Sequence, residues 1–136
     1  MKLKIGYREL IDHAMAAIET VPLDRAQKLL SDPNVVFVDI RDVRELEREG
    51  MITGAMHAPR GMLEFWVDPE SPYFKPIFGE GKQLVLYCAS AWRSALATET
   101  LQKMGVPHVS HLEGGFSAWK KSGLPIEAKT TKSAKA

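Results

Sequence analysis

The chain has 136 residues, 45% apolar and 26% charged, with no internal repeat, which fits one ordinary globular domain able to bury roughly two-thirds of its surface. Its single cysteine, Cys88, excludes an internal disulfide framework and a multi-cysteine zinc site, and its longest apolar runs are far shorter than the about 20 residues that span a bilayer. The net charge of +1 is uneven: residues 2–9 carry +2 and residues 127–136 another +2, leaving −3 between them, which argues against a broad nucleic-acid surface.

The first eight residues lack the apolar core and small-residue cleavage site of a signal peptide, so a cytoplasmic chain is expected. Leu3, Tyr7, Leu10, Ile11, Ala14, Met15 and Ile18 fall at helical spacing and predict a leading amphipathic helix over 3–18. Pro22 interrupts that pattern. Asp24 is then expected to cap a short helix over 24–30, with Gln27 as its capping-box partner. After a turn at 31–34, Val35-Val36-Phe37-Val38-Asp39 reads as a strand buried on both faces. A charged helix over 42–49, a glycine-rich turn and a mixed, aromatic-rich segment over 62–78 follow. Leu84-Val85-Leu86-Tyr87-Cys88 is a second buried strand, with a helix over 93–104 behind it. Residues 108–112 predict another strand and 116–122 a last helix, stopped by Gly123 and Pro125. Strands alternating with helices imply an α/β domain with a parallel sheet covered on both sides. The expected organisation is a leading helix over 1–19, a domain over 20–126 and a disordered basic tail over 127–136.

In open parallel sheets, ligands bind beyond the carboxyl ends of the strands. Two strands end there in polar residues, Asp39 and Cys88. Behind Cys88 come Ala89, Ser90, Ala91, Trp92, Arg93 and Ser94, then helix. Small residues let the backbone curl around the sulfur, so successive N–H groups form an anion-binding nest. The following helix adds its positive end and Arg93 a permanently charged fork. Together these favour a thiolate nucleophile and any anion built on it.

The run Tyr87 to Ser94 resembles the active loop of the rhodanese-like domains. Val38-Asp39-Ile40-Arg41 with Glu45, Gly50 to Ala55 followed by Pro59, and Leu112 to Trp119 ending in Gly123-Leu124-Pro125 resemble three further motifs of that family, in the same order. The resemblance covers about residues 20–126. It implies a parallel five-stranded sheet flanked by helices, and a sulfurtransferase that moves a sulfane sulfur from a donor such as thiosulfate to cyanide or a thiol through a persulfide. On this chain Cys88 is the implied nucleophile and persulfide carrier. The amides from Ala89 to Arg93 would cradle the terminal sulfur, Arg93 would stabilise its charge, and Ser94 would cap the helix or donate to the sulfur. Asp39 and Arg41 would brace the loop, and Arg60 would attract an anionic donor at the rim. With one cysteine, turnover must end on an external nucleophile or an acceptor protein. No cofactor, metal, nucleic acid or membrane is implied.

Two other readings stand beside this one. One is a rhodanese-like interaction module with an idle cysteine. The other is a cysteine phosphatase or arsenate reductase, disfavoured because four residues separate Cys88 from Arg93 where those enzymes have five. Ala91 stands where many family loops have glycine, and a positive φ there would strain it by about 1 kcal/mol. Trp92 is expected to wall the pocket or dock a partner. His108 and His111, three apart on a strand, are expected on opposite faces and not as a metal pair. His57 is read as packing, the Arg41–Glu45 pair as a solvated helix face, and the aromatic middle segment as core and lid.

Overall fold

The computed structural model describes residues 1–129. Five parallel strands form the central sheet: β1 (Thr20–Val21), β2 (Val35–Asp39), β4 (Met56–His57), β5 (Gln83–Tyr87) and β6 (Val109–Leu112), in the spatial order β1-β6-β5-β2-β4. Strands β2 and β5 pair along their whole length, from Val35 opposite Gln83 to Asp39 opposite Tyr87, so Asp39 and Cys88 emerge together at the carboxyl edge. Alternate residues of these strands feed two separate cores, as period-two geometry requires. Val38, Leu84 and Leu86 pack with Leu63 and Val67 of α4 (Leu63–Val67) and with Ala97 and Leu101 of α5 (Trp92–Lys103). Phe37, Val85 and Tyr87 pack on the other face with Ala26 of α2 (Leu23–Leu29) and with Phe116 and Trp119 of α6 (Gly115–Lys121). This is the α/β architecture expected from the alternation of elements.

The leading helix, α1 (Tyr7–Ala17), begins at Tyr7 with Gly6 as its N-cap, so Leu3 and Ile5 precede it and stay exposed. It packs on α5, where His13 Nδ1 lies 2.9 Å from Glu99 Oε2 and Gln102 donates to the Ala17 carbonyl at 2.8 Å. Helix α2 starts one residue before the expected cap. Pro22 is its N-cap and accepts from the Ala26 N–H, while Asp24 sits inside the first turn. Proline's fixed φ suits a helix entrance, which leaves Asp24 no capping role. A two-stranded antiparallel ribbon pairs β3 (Met51–Ile52) with β7 (Ile126–Glu127). Glu127 also accepts from the Gly54 N–H at 2.8 Å, so the ordered fold extends past the expected start of the tail at 127. Residues 130–136, the rest of that tail, lie outside the described residues. The aromatic middle segment divides: Trp66 and Phe78 pack against the core, whereas Phe65 and Tyr73 are exposed.

One buried charge ties the site end of the fold together. Arg41, just beyond β2, is fully buried, as is Asp39. Its Nε and Nη2 donate to the Asp39 carboxylate, with Nη2 2.8 Å from Oδ2. Nη2 also donates to the Gly50 carbonyl at 2.7 Å, and Nη1 to Glu49 at the end of α3 (Val43–Glu49) at 3.0 Å. The guanidinium carbon lies 4.2 Å from the centroid of the Phe116 ring. Burial is the largest single effect and works against this charge, but the Asp39 hydrogen bonds together with the charges of Asp39, Tyr87 and Glu45 outweigh it and raise the Arg41 pKa above its usual range. The expected solvated Arg41–Glu45 pair is therefore corrected: Arg41 precedes the helix and turns inward, and Glu45 has another partner. Replacing Asp39 with Asn would remove the buried counter-charge of this guanidinium and leave it only the part-exposed Glu49 carboxylate. It is expected to cost about 3–5 kcal/mol in urea denaturation.

Candidate active site

Cys88 follows β5 and is fully buried. The loop over 88–91 then turns directly into α5. The Ser94 N–H, in the first turn of that helix, donates to Cys88 Sγ at 3.4 Å. Loop carbonyls are held from outside: the Phe116 N–H donates to the Cys88 carbonyl at 2.8 Å and the Ser117 N–H to the Ala89 carbonyl at 2.9 Å. These are otherwise orphan donors of the first turn of α6. Their hold depends on close approach at Gly115, where a Cβ would lie 2.7 Å from the Cys88 and Ala89 carbonyl oxygens.

Ala91 is the N-cap of α5 with φ 146° and ψ −6°, the strained geometry anticipated for it. Its carbonyl accepts from the Ala95 N–H at 2.9 Å and lies 3.2 Å from Ser94 Oγ. Trp92 leaves the ring and is half exposed, with its centroid 5.1 Å from that of Tyr7 on α1. Arg93 closes the loop and is clamped by Glu45, Nη1 to Oε1 at 2.8 Å and Nη2 to Oε2 at 3.0 Å. The Glu45 hydrogen bonds raise the pKa of Arg93, with a further contribution from the nearby Cys88 sulfur, and Arg93 holds the Glu45 carboxyl below its usual range. Glu45 is in turn fixed by the capping box of α3, accepting from the Asp42 N–H.

Of its two expected roles, Ser94 does not cap the helix with its side chain, and it meets the sulfur through its backbone amide. Its hydroxyl faces the Ala91 carbonyl and His111 Nδ1, the latter at 2.9 Å. His111 lies in β6, fully buried, with Nε2 3.0 Å from Thr20 Oγ1. Burial lowers its pKa to about 4, so it is neutral at physiological pH. His108, expected on the same strand, sits outside it with φ 54° and is exposed. His57 Nε2 donates to the Arg41 carbonyl at 2.7 Å and belongs to the buried charge cluster. Arg60 is half-buried in the turn Arg60–Met62, its N–H donating to the Ile40 carbonyl at 3.1 Å. From sequence, Glu45 belongs to a motif but pairs with Arg41 on a solvated helix face, and His111 has no partner beyond a rejected metal pair with His108. Only the pairing of strands and helices in space reveals their partners.

The fold and this loop define a class: a small α/β domain with a buried cysteine at the carboxyl end of a central strand, ringed by a strand-to-helix turn. The family model of the rhodanese-like domain matches residues 22–122, and the chain belongs to that family. A solved structure from Rhodopseudomonas palustris, of a protein of unknown function described as a possible tyrosine phosphatase, is 50% identical. It superposes with a TM-score of 0.90 over 93% of this chain and 98% of its own. A sulfurtransferase of Allochromatium vinosum is 34% identical over 103 residues, 76% of this chain and 88% of that protein. An uncharacterized protein of Synechocystis is 38% identical over 106 residues, 78% of this chain but only 54% of its own length.

Two outcomes are expected. Gly115 and Gly123 both have positive φ, 64° and 74°, but a Cβ at Gly123 meets nothing within 4 Å. Gly123→Ala should therefore cost about 1 kcal/mol from backbone strain alone, and Gly115→Ala about 2 kcal/mol or more, both read by urea denaturation. The second concerns His111. Between its ordinary pKa of 6.5 and about 4, the unfolded chain takes up a proton that the folded chain refuses. Its contribution is thus full above pH 6.5 and is lost as pH falls toward 4, amounting to about 3 kcal/mol. His111→Asn should flatten the stability profile across that window.

Proposed function

We propose that this chain is a sulfurtransferase that carries a sulfane sulfur on Cys88. The observation that carries the reading is the loop: six residues from Cys88 to Arg93, with the sulfur held under the Ser94 amide and Arg93 paired with Glu45. A ring of this size suits one added sulfur atom, which bears one negative charge. A phosphoryl dianion spreads two charges over three oxygens and calls for a wider ring with an unengaged guanidinium fork. Both terminal nitrogens of Arg93 already bond Glu45, which supports sulfur over phosphate.

In the proposed reaction the Cys88 thiolate attacks the outer sulfur of thiosulfate. A new S–S bond forms, the thiosulfate S–S bond breaks, and sulfite leaves with the electron pair. The Cys88 persulfide anion lies among the amides of Ala89, Ser90, Ala91, Trp92 and Arg93, with the Ser94 N–H at its base. Arg93 offsets its charge without releasing Glu45, and Arg60 at the rim attracts the anionic donor. Cyanide or a thiolate then attacks the terminal sulfur, and the Cys88 thiolate leaves, restoring the resting protein. Asp39 and Arg41 take no part in bond making. They brace the loop through Phe116. With no second cysteine in the chain, the acceptor is a small nucleophile or a thiol of another protein.

The test is to load the protein with thiosulfate, remove the donor and weigh the intact chain beside Cys88→Ala. Wild type alone is expected to gain one sulfur, released by cyanide as thiocyanate. Failure to load from thiosulfate, mercaptopyruvate and a persulfidated protein donor would overturn the reading in favour of an interaction module. Cys88-dependent turnover of an aryl phosphate, with no sulfur loading, would establish phosphatase chemistry in its place.

A further inference from the structure

Behind the cysteine loop lies a chain of polar side chains to which the proposed sulfur transfer assigns no role. Thr20 of the edge strand β1, His111 of β6 and Ser94 of α5 run in series through the sheet to the loop, with Thr20 Oγ1 to His111 Nε2 at 3.0 Å and His111 Nδ1 to Ser94 Oγ at 2.9 Å. Ser94 Oγ then meets the Ala91 carbonyl at 3.2 Å. Ser94 and His111 are fully buried, so each unmade hydrogen bond among them would cost about 1–3 kcal/mol.

A single arrangement of protons satisfies all three contacts. A carbonyl only accepts, so the Ser94 hydroxyl proton must point at Ala91. The Ser94 oxygen is then free to accept, and His111 Nδ1 must carry the proton that it receives. His111 is neutral, so its Nε2 is bare and accepts from the Thr20 hydroxyl. The opposite tautomer would turn the Ser94 proton toward His111 and leave the Ala91 contact without one.

We infer that His111, as the Nδ1–H tautomer, is a positioning residue for the chemistry at Cys88, acting through Ser94. Ser94 is the point where the chain meets the reacting sulfur: its hydroxyl holds the carbonyl of strained Ala91, and its amide donates to Cys88 Sγ. Fixing the hydroxyl fixes the residue, and with it the direction of that amide and the shape of the ring. The anchor is rigid because β6 lies inside the sheet, between β1 and β5. The kinetic part of this inference rests on the sulfur-transfer reading. The tautomer does not.

Two side chains separate positioning from bulk packing. In His111→Asn the amide reaches about the place of Nδ1 and can still donate to Ser94, while in His111→Gln it reaches about the place of Nε2. In thiosulfate:cyanide turnover, His111→Asn is expected to stay within about threefold of wild type. His111→Gln and Ser94→Ala should each lose about tenfold or more in kcat, with a smaller change in KM. The double variant Ser94→Ala/His111→Gln should be no slower than Ser94→Ala alone, as for residues acting in series. Equal losses in the Asn and Gln variants at matched thermal midpoints, or multiplying losses in the double variant, would overturn the inference. Long-range proton–nitrogen NMR of the resting wild-type protein reads the tautomer with no variant at all. The proton is expected on Nδ1, and a proton on Nε2 would overturn the inference whatever the kinetics show. A wild-type chain that never loads sulfur would sink the proposed reaction, and the tautomer would still be decided by that spectrum.

Discussion

The buried guanidinium of Arg41 is the constraint on which the site end of this molecule depends. A charge with no exposure survives only where every donor has an acceptor, and Arg41 gathers its acceptors from three places: Asp39 on β2, Glu49 at the end of α3 and the Gly50 carbonyl at the start of the glycine-rich turn. Its carbonyl is held in turn by His57 of β4. Its flat face lies on Phe116, whose N–H holds the carbonyl of Cys88. A displacement of Arg41 would thus reach the cysteine in two steps, through a ring and a peptide. Tyr87 completes the packing from beneath: its hydroxyl accepts from the Ile52 N–H at 3.0 Å, and burial raises its pKa, keeping it neutral beside Asp39.

Around the cysteine, the loop is shaped from outside more than from within. Helix α6 draws the carbonyls of Cys88 and Ala89 toward its own first turn, and α5 supplies the amide that meets the sulfur. Glu45 then takes both terminal nitrogens of the only arginine in the ring. The backbone amide of Ser94 meets the sulfur directly, while the Arg93 guanidinium is already paired with a carboxylate. On the proposed reading, that arrangement suits the single charge of a persulfide. The same pairing keeps Arg93 from collapsing onto the cysteine, because a bidentate fork fixes both its position and its plane.

The sequence was most legible where local chemistry and fold agreed. The apolar runs at 35–39 and 84–88 located the two central strands, and the small residues directly after Cys88 located the loop. Strain at Ala91 was foreshadowed by the resemblance, since alanine stands where many loops of the family have glycine, and its φ is 146°. Charge was read least well. Arg41 and Glu45 stand four apart, the spacing of a surface helical pair, yet one is buried beneath α6 and the other crosses to α5. Spacing gives the neighbours along a helix but not those brought in by the next element. His111 was opaque for the same reason: its partners are 91 and 17 residues away along the chain.

Helix α1 lies ahead of the region matched by the family model, which begins at residue 22, and it bears on the loop through one residue that the loop itself supplies. Trp92 lies half exposed at the start of α5, and a fully exposed indole there would cost apolar surface. Tyr7 takes up part of that surface, its ring tilted 48° to the indole, while the Arg8 guanidinium lies 5.4 Å from the centroid of the Tyr7 ring itself. The rest of α1 is fastened to α5 at Glu99 and Gln102, on the same helix that Trp92 begins. The helix and the tryptophan therefore make one unit: α1 braces the first turn of α5, and that turn carries the amide that meets the sulfur. A bulky loop residue, expected from sequence to wall the pocket or dock a partner, thus packs on α1 of its own chain and fastens that helix to the first turn of α5.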